Sequence, residues 1–300
     1  MPAHETTSPP TIAQMLAQTD RPLFSFEFMP PRSEEEVEVL WRAIENLEPL
    51  KPDFVSVTYG ANGSKRERTI RTTRQIMERT RLQTMGHLTV VDQPTVQLRD
   101  TIANYAEAGV SHILALRGDP PGGAELDFVA HPEGLTSAVD LIRLVKEVGD
   151  FCVGVAAYTA PRGGGDLRRE AELLLAKAEA GAEFAVTQLF YEPDHYFDLV
   201  DEVRRQGGTM PIIPGVMPVT SLKQLDVFAN LSGTAMPQPM VERLQAVADD
   251  PDKVRTVGAR ITSELAVTLL RGGAPGLHFF TLNRSKATLR IFEALRDRHW

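Results

Sequence analysis

The feature that most constrains this chain is a repeat of alternating elements. Short β-rich runs begin near Leu23, Phe54, Thr84, His112, Cys152, Phe184, Pro211 and Leu277. Most start roughly thirty residues apart, the length of one strand and one crossover helix. The stretches between them have helical spacing. Val37, Leu40, Ile44 and Leu47 form one apolar stripe; Leu98, Ile102, Tyr105 and Ala106 form a second; Leu135, Val139, Ile142 and Val145 form a third. Gly109, Gly149 and Gly181 close helical stretches, where a left-handed cap is easiest. Eight strands alternating with helices predict an α/β fold, a (β/α)8 TIM barrel in a single domain over residues 21–300. Extra helices from Leu222 to Leu270 precede the eighth strand, and the Pro237–Pro239 stretch separates two of them. Residues 1–20 read as an N-terminal arm, disordered over 1–10, ending in a short helix from Ile12 to Gln18 capped by Thr11. The competing architecture is an open doubly wound sheet. No Gly-x-Gly-x-x-Gly follows the first strand, which weakens its dinucleotide-binding form.

Charge and composition narrow the partners. The 32 basic and 40 acidic residues give a net charge of −8, so no nucleic-acid surface is expected, although local basic pockets remain possible. The single cysteine, Cys152, forms no internal disulfide and offers no metal cluster, which fits a reducing cytoplasm. No signal peptide is visible, and no apolar run reaches the roughly 18 residues of a membrane span. Nothing in the pattern marks an oligomeric interface.

In a barrel of this kind the chemistry gathers at the C-terminal ends of the strands. The first strand, Phe24-Ser25-Phe26-Glu27-Phe28, alternates phenylalanines on one face with Ser25 and Glu27 on the other. A carboxyl on a half-buried strand is costly as an anion and suits a proton donor; a solvated edge strand is the plainer explanation. Later strands end in Thr58, His87, Arg117-Gly118-Asp119, Tyr158, Gln188, Thr281 and Asn283-Arg284. Each is weak evidence alone. Together, at equivalent ends of successive strands, they predict a functional cleft. Three other signals are discounted: Arg117-Gly118-Asp119 as an adhesion tripeptide, Gly163-Gly164-Gly165 as a phosphate loop, and His278 with His299 as a metal pair.

At these strand ends the sequence resembles the methylenetetrahydrofolate reductases, from about Phe24 to Leu295. The matching segments include Phe24-Ser25-Phe26-Glu27-Phe28 with Pro30-Pro31-Arg32, Pro52 to Ala61, Gly86-His87-Leu88-Thr89 and Leu114 to Pro121. Val155 to Tyr158, Thr187-Gln188, Ile212 to Val219 and Phe280 to Arg284 complete the series. The resemblance implies reduction of 5,10-methylenetetrahydrofolate to 5-methyltetrahydrofolate. It also implies electrons from NADH, the donor expected for a chain of bacterial-type length, passed through bound FAD. On the matching positions, Glu27 would be the general acid that opens the folate ring and Asp119 the acid that holds the pterin. Gln188, Phe228 and Arg284 would bind folate. Thr58, His87, Arg117, Gly118, Tyr158 and Lys177 would line the flavin.

The pattern breaks in the flavin segments. After Tyr158 the chain reads Thr159-Ala160-Pro161-Arg162-Gly163-Gly164-Gly165-Asp166, without the family's histidine. Ser137 replaces a tyrosine, and Leu173 and Ala176 stand where polar or basic residues are usual. Two routes stay open: FAD bound by adjusted contacts, with Arg162 or Arg168 meeting its phosphates, or NADH in the pocket delivering hydride directly to folate. The breaks tip the balance slightly to direct transfer. Two other classes are carried forward: a folate-binding or regulatory barrel without catalysis, and another pterin or flavin barrel such as a proline dehydrogenase-like oxidoreductase.

Overall fold

The computed structural model describes residues 9–59, 63–120, 127–160, 166–232 and 234–296. The chain opens with α1 (Ile12–Gln18), β1 (Leu23–Phe28), α2 (Glu34–Leu47), β2 (Phe54–Val57), α3 (Gly63–Arg79), β3 (Thr84–Thr89) and α4 (Thr95–Glu107). It continues through β4 (His112–Leu116), α5 (Ala138–Val148), β5 (Cys152–Ala157), α6 (Leu167–Glu179), β6 (Phe184–Thr187) and α7 (Pro193–Arg205). The remaining elements are β7 (Ile212–Ile213), β8 (Gly215–Val216), α8 (Gln224–Ser232), α9 (Gln238–Gln245), α10 (Pro251–Arg271), β9 (Gly276–Phe280) and α11 (Ser285–Arg296). All strand pairs are parallel, in the order β7-β6-β5-β4-β3-β2-β1-β9-β8.

The expected seventh strand is split at Pro214. β7 pairs with β6, Val186 opposite Ile213, whereas β8 pairs with β9, Val216 opposite Phe279. Proline has no N–H to give to a ladder, so pairing changes side there. The Pro214 carbonyl accepts from the His278 N–H at 3.0 Å, and the Gly215 N–H donates to Thr187 Oγ1 at 2.9 Å. The two short pieces together close the barrel, so nine strand segments occupy eight staves.

Strand alternation sorts the residues into two layers. Phe26, Phe28, Val55, Val57, Leu88, Ile113 and Val153 face outward into the main core under the helices. Inside the barrel, Phe54, Met85, Leu114, Cys152, Phe184 and Ile213 pack together at the base. The short helix α1 closes that base. Thr11 and Gln14 form a capping box, with Thr11 Oγ1 accepting from the Gln14 N–H and Gln14 Oε1 accepting from the Thr11 N–H. Ile12, fully buried, seals the interior cluster, and its N–H donates to His112 Nε2 at 3.1 Å. Beneath this helix, burial pushes the Cys152 thiol up to about 11.

Several details differ from the expectations. Val37 is exposed, and Ala43 joins Leu40, Ile44 and Leu47 in facing the core. Ala106 is exposed, while Thr101 is buried, donating its hydroxyl to the Gln97 carbonyl. Gly109 and Gly181 have the left-handed φ of 79° and 112°, but Gly149 is extended at −167°. Pro237 caps α9 instead of merely separating helices. Among the described residues, no helix is long and apolar enough to cross a membrane.

Candidate active site

The alternation that buries the β1 phenylalanines turns Ser25 and Glu27 into the barrel. Glu27 stands between two histidines, one on the adjacent strand β9 and one on β3, two strands away on the other side. Its Oε2 lies 3.6 Å from His87 Nε2 on β3 and 3.6 Å from His278 Nε2 on β9. Both separations exceed a hydrogen bond, so the carboxyl is approached but not tied down. His278 is fixed tightly. Its Nδ1 lies 2.8 Å from Ser25 Oγ, Ser56 Oγ lies 3.4 Å from its Nε2, and Phe54 stacks on its ring at 6.0 Å. His87 is buried, and its Nε2 has no hydrogen-bond partner among the described residues. Burial, the dominant influence, pushes this imidazole down to about 4; Glu27 opposes the shift and His278 adds to it. His87 is therefore a neutral ring at neutral pH.

The same burial makes a prediction about stability. His87 and His112 both fall from 6.5 to about 4, chiefly by desolvation. Between those values the unfolded chain binds protons that the native chain refuses, so stability falls as the pH drops through this window. Urea midpoints measured from pH 7 to pH 4 should decline, and His112→Asn should flatten the decline. A flat wild-type profile would contradict the buried neutral rings.

The backbone that carries Glu27 is clamped by the turn after β9. Thr281 Oγ1 donates to the Glu27 carbonyl at 2.6 Å. Asn283 closes a two-way pair with Met29: its Oδ1 accepts from the Met29 N–H at 2.8 Å and its Nδ2 donates to the Met29 carbonyl at 2.9 Å. Leu282 and Asn283 hold left-handed φ values of 50° and 56°. That conformation costs a non-glycine residue about 1–2 kcal/mol, strain of the kind that gathers at functional sites. Arg284 follows, exposed at the rim.

The other expected residues are spread around the mouth. Thr58 is tied to β1, its N–H donating to the Phe28 carbonyl at 3.0 Å. Arg117 lies over the Phe128 ring at 5.1 Å, and Asp119 is exposed beside it. Between them Gly118 has φ +85°, and a β-carbon there would meet Val91 Cγ1 at 2.7 Å, so the turn requires glycine. Tyr158 is half-buried, its N–H donating to Glu170 Oε1 at 3.2 Å. Gln188 turns its Oε1 back to the Leu189 N–H at 2.8 Å.

Two residues expected to contact ligands are enclosed in the structure. Lys177 is buried in the wall, where Nζ donates to the Ala156 carbonyl at 2.7 Å. Burial lowers its pKa, and the neighbouring Glu170 opposes that shift. Phe228 is 2 % exposed and stacks on Tyr191 at 6.3 Å, in a satellite core with Leu189, Met217 and Val219. A ligand could stack on it only after α8 moved. Conversely, His278 escaped the sequence reading because it was weighed only as half of a metal pair. The available signal was parity: His278 and Phe280 share one face of β9, and His278 is in register with Ser25. No group of side chains suited to a metal ion occurs among the described residues.

Methylenetetrahydrofolate reductase is the family model that matches, over residues 11–296. The chain belongs to that family. It is an oxidoreductase, and the family's reaction is the reduction of methylenetetrahydrofolate. A 5,10-methylenetetrahydrofolate reductase of Pectobacterium carotovorum is 40 % identical over 279 residues, 90 % of this chain and 89 % of the relative. Its Escherichia coli counterpart is 39 % identical over 277 residues, 90 % of each chain. A rice protein named a probable NADH methylenetetrahydrofolate reductase is 31 % identical over 93 % of this chain but 49 % of its own. Among solved structures, a Clostridium thermocellum protein described as binding two copies of 5-methyl-5,6,7,8-tetrahydrofolic acid superposes with a TM-score of 0.63. It has 17 % identity and covers 95 % of this chain and 98 % of its own, a likeness of fold.

FAD, which the reductase family implies, fits the described residues poorly on its phosphate and adenosine side. Lys177 is committed to the Ala156 carbonyl. Ser137 is committed to capping α5, accepting from the Asp140 N–H at 3.2 Å and donating to Asp140 Oδ2 at 2.7 Å. Leu173 presents an apolar side chain, 42 % exposed, and Ala176 offers only a methyl group. Pro161 to Gly165, with Arg162, lie outside the described residues, as do Gly60, Ala61, Pro121 and His299.

Proposed function

We propose that this reductase converts 5,10-methylenetetrahydrofolate to 5-methyltetrahydrofolate with NADH as donor, hydride passing directly from nicotinamide to folate and Glu27 acting as general acid. The observation that carries this reading is the Glu27 carboxyl on the barrel interior, near two imidazole nitrogens at 3.6 Å and clamped through its own backbone. Protonated Glu27 gives its proton to folate N10. The bond from N10 to the bridging carbon breaks, leaving an N5 iminium. Hydride from NADH adds to that carbon, giving the N5-methyl product and NAD⁺, and Glu27 regains a proton from solvent. Positioned acids of this kind contribute roughly 10²–10⁴-fold.

The remaining residues orient the partners. Asp119 and Gln188 hold polar edges of the pterin, and Arg284, exposed at the rim, meets the substrate's carboxylates. Thr58, His87, Arg117, Gly118 and Tyr158 border the space that the nicotinamide occupies. Phe228 contributes a stacking face once α8 shifts. Holding two rings in contact is a matter of orientation.

The purified protein should lack the visible absorption of a flavin, and NADH should be oxidised only when the folate is also present. Stoichiometric flavin released on denaturation, together with NADH oxidation in the absence of folate, would replace direct transfer by a flavin route. His278→Asn keeps an amide near Ser25 but removes the nitrogen facing Glu27. It should lower kcat roughly 10-fold or more with little change in KM for NADH. Unchanged kcat would remove His278 from the site.

A further inference from the structure

The second half of α2 is held to the core by Leu40, Ala43, Ile44 and Leu47, but no side chain from Arg32 to Val39 is buried. A helix of this length draws most of its stability from packing, and here its first turns have little to pack on. Val37 and Val39 are left 39 % and 46 % exposed. Beside this segment a groove of about 450 Å³ separates α2 from α3. Val37 and Trp41 give the groove an apolar side, and past Trp41 it continues between Glu38, Arg42 and Glu45. Charge is divided between the two helices. On the α2 side stand Glu34, Glu38 and Glu45; on the α3 side stand Arg68, Arg71 and Arg79. Arginines elsewhere, such as Arg21, Arg99, Arg243 and Arg255, are matched by carboxylates. Among the described residues, these six groups form no ion pair, although opposite charges line the same groove. Arg68 Nε is buried without an acceptor, which is costly for a donor. Arg79 is held 3.8 Å above the Trp41 ring.

An occupant that completes this groove must present carboxylates and apolar surface together. The start of α2 has both, with Glu34, Glu35 and Glu38 flanking Val37 and Val39. We propose that this face binds a second copy of the chain, the start of each α2 lying in the other copy's groove about a two-fold axis. In such an isologous contact every pairing is made twice. The glutamates of one α2 meet the arginines of the other α3, where a guanidinium can engage a carboxylate in a planar fork. Arg68 Nε thereby gains the acceptor that its own chain does not supply. Val37 and Trp41 of the two copies come together between the charged rows and leave water. A small anion is the poorer occupant. It would satisfy the arginines but leave the valines exposed, and it would bring negative charge close to Glu34 and Glu38.

The test is sedimentation equilibrium on the wild type, on Glu34→Arg/Glu38→Arg and on Arg71→Glu/Arg79→Glu. It is repeated on an equimolar mixture of those two variants and on the chain carrying all four substitutions. The wild type should be dimeric at about 10 μM, with a Kd that rises as salt is added. Each double variant alone sets like charges against each other across the contact and should weaken the dimer at least about 100-fold. The mixture and the fourfold variant oppose unlike charges at every pairing again, so both should recover a Kd within about 10-fold of the wild type's. A wild type still monomeric at about 100 μM overturns the proposal, and inorganic tripolyphosphate bound by that monomer would give the groove to a small anion. A dimer indifferent to both reversals overturns it too, as does a loss in both variants that neither the mixture nor the fourfold chain recovers. Should a variant fail to fold, hydrogen exchange on the wild type decides. The amides from Val37 to Trp41 should gain at least about 5-fold protection as concentration drives association, and unchanged protection there overturns the proposal.

Discussion

Glu27→Gln should reduce folate turnover by roughly 10²–10⁴-fold while leaving the affinity for NADH unchanged. Glutamine matches the shape of the acid but has no proton of comparable acidity to give N10. The replacement is also structurally mild. The side chain makes no hydrogen bond to His87 or His278, which stand at 3.6 Å, so none is lost. The strand stays where it is because the clamps act on the backbone, through Thr281 at residue 27 and Asn283 at residue 29. Single-turnover reduction and a fluorescence titration with NADH separate the two properties. A parallel loss of NADH affinity would remove the acid role and make Glu27 a binding residue.

Gly258→Ala should destabilise the fold by about 1–3 kcal/mol or more, although alanine normally favours a helix over glycine by about 1 kcal/mol. Gly258 lies within α10, and a β-carbon there would sit 1.9 Å from the Val219 carbonyl oxygen. The neighbour is backbone, so no rotamer change relieves the clash. Relief requires α10 or the segment after β8 to move, and that segment carries Met217 and Val219 in the core around Phe228. The variant should lower the urea midpoint and weaken folate binding together. A midpoint equal to or above that of the wild type would show that α10 does not press on Val219.

The sequence made the barrel legible because its information is periodic. Outward-facing Phe26 and Phe28 and inward-facing Ser25 and Glu27 follow from alternation alone. The break at Pro214 was hidden by continuity: Ile212 to Val216 looks like one apolar run, and only the pairing partners show that it changes sides. At the site, the residues at strand ends could be read in order, since the barrel gathers all such ends. The burial of Lys177 and Phe228 was not legible, for a different reason. Both lie on helices, where a shift of one position turns a side chain through about 100°, so a motif match does not say which way the side chain points. His278 needed register, a property of two strands that one strand's sequence does not contain.

The helix across the barrel's base gives the molecule a built-in clock. The chain has one cysteine, Cys152, and it lies 4 % exposed beneath α1 with its thiol pushed up to about 11. Alkylation therefore waits for α1 to lift away. The labelling rate at low denaturant reads the free energy of that partial opening, and at high denaturant it reads global unfolding. Because the proposed substrate site lies at the opposite end, the effect of substrates on the rate tests whether binding there tightens the whole stave assembly.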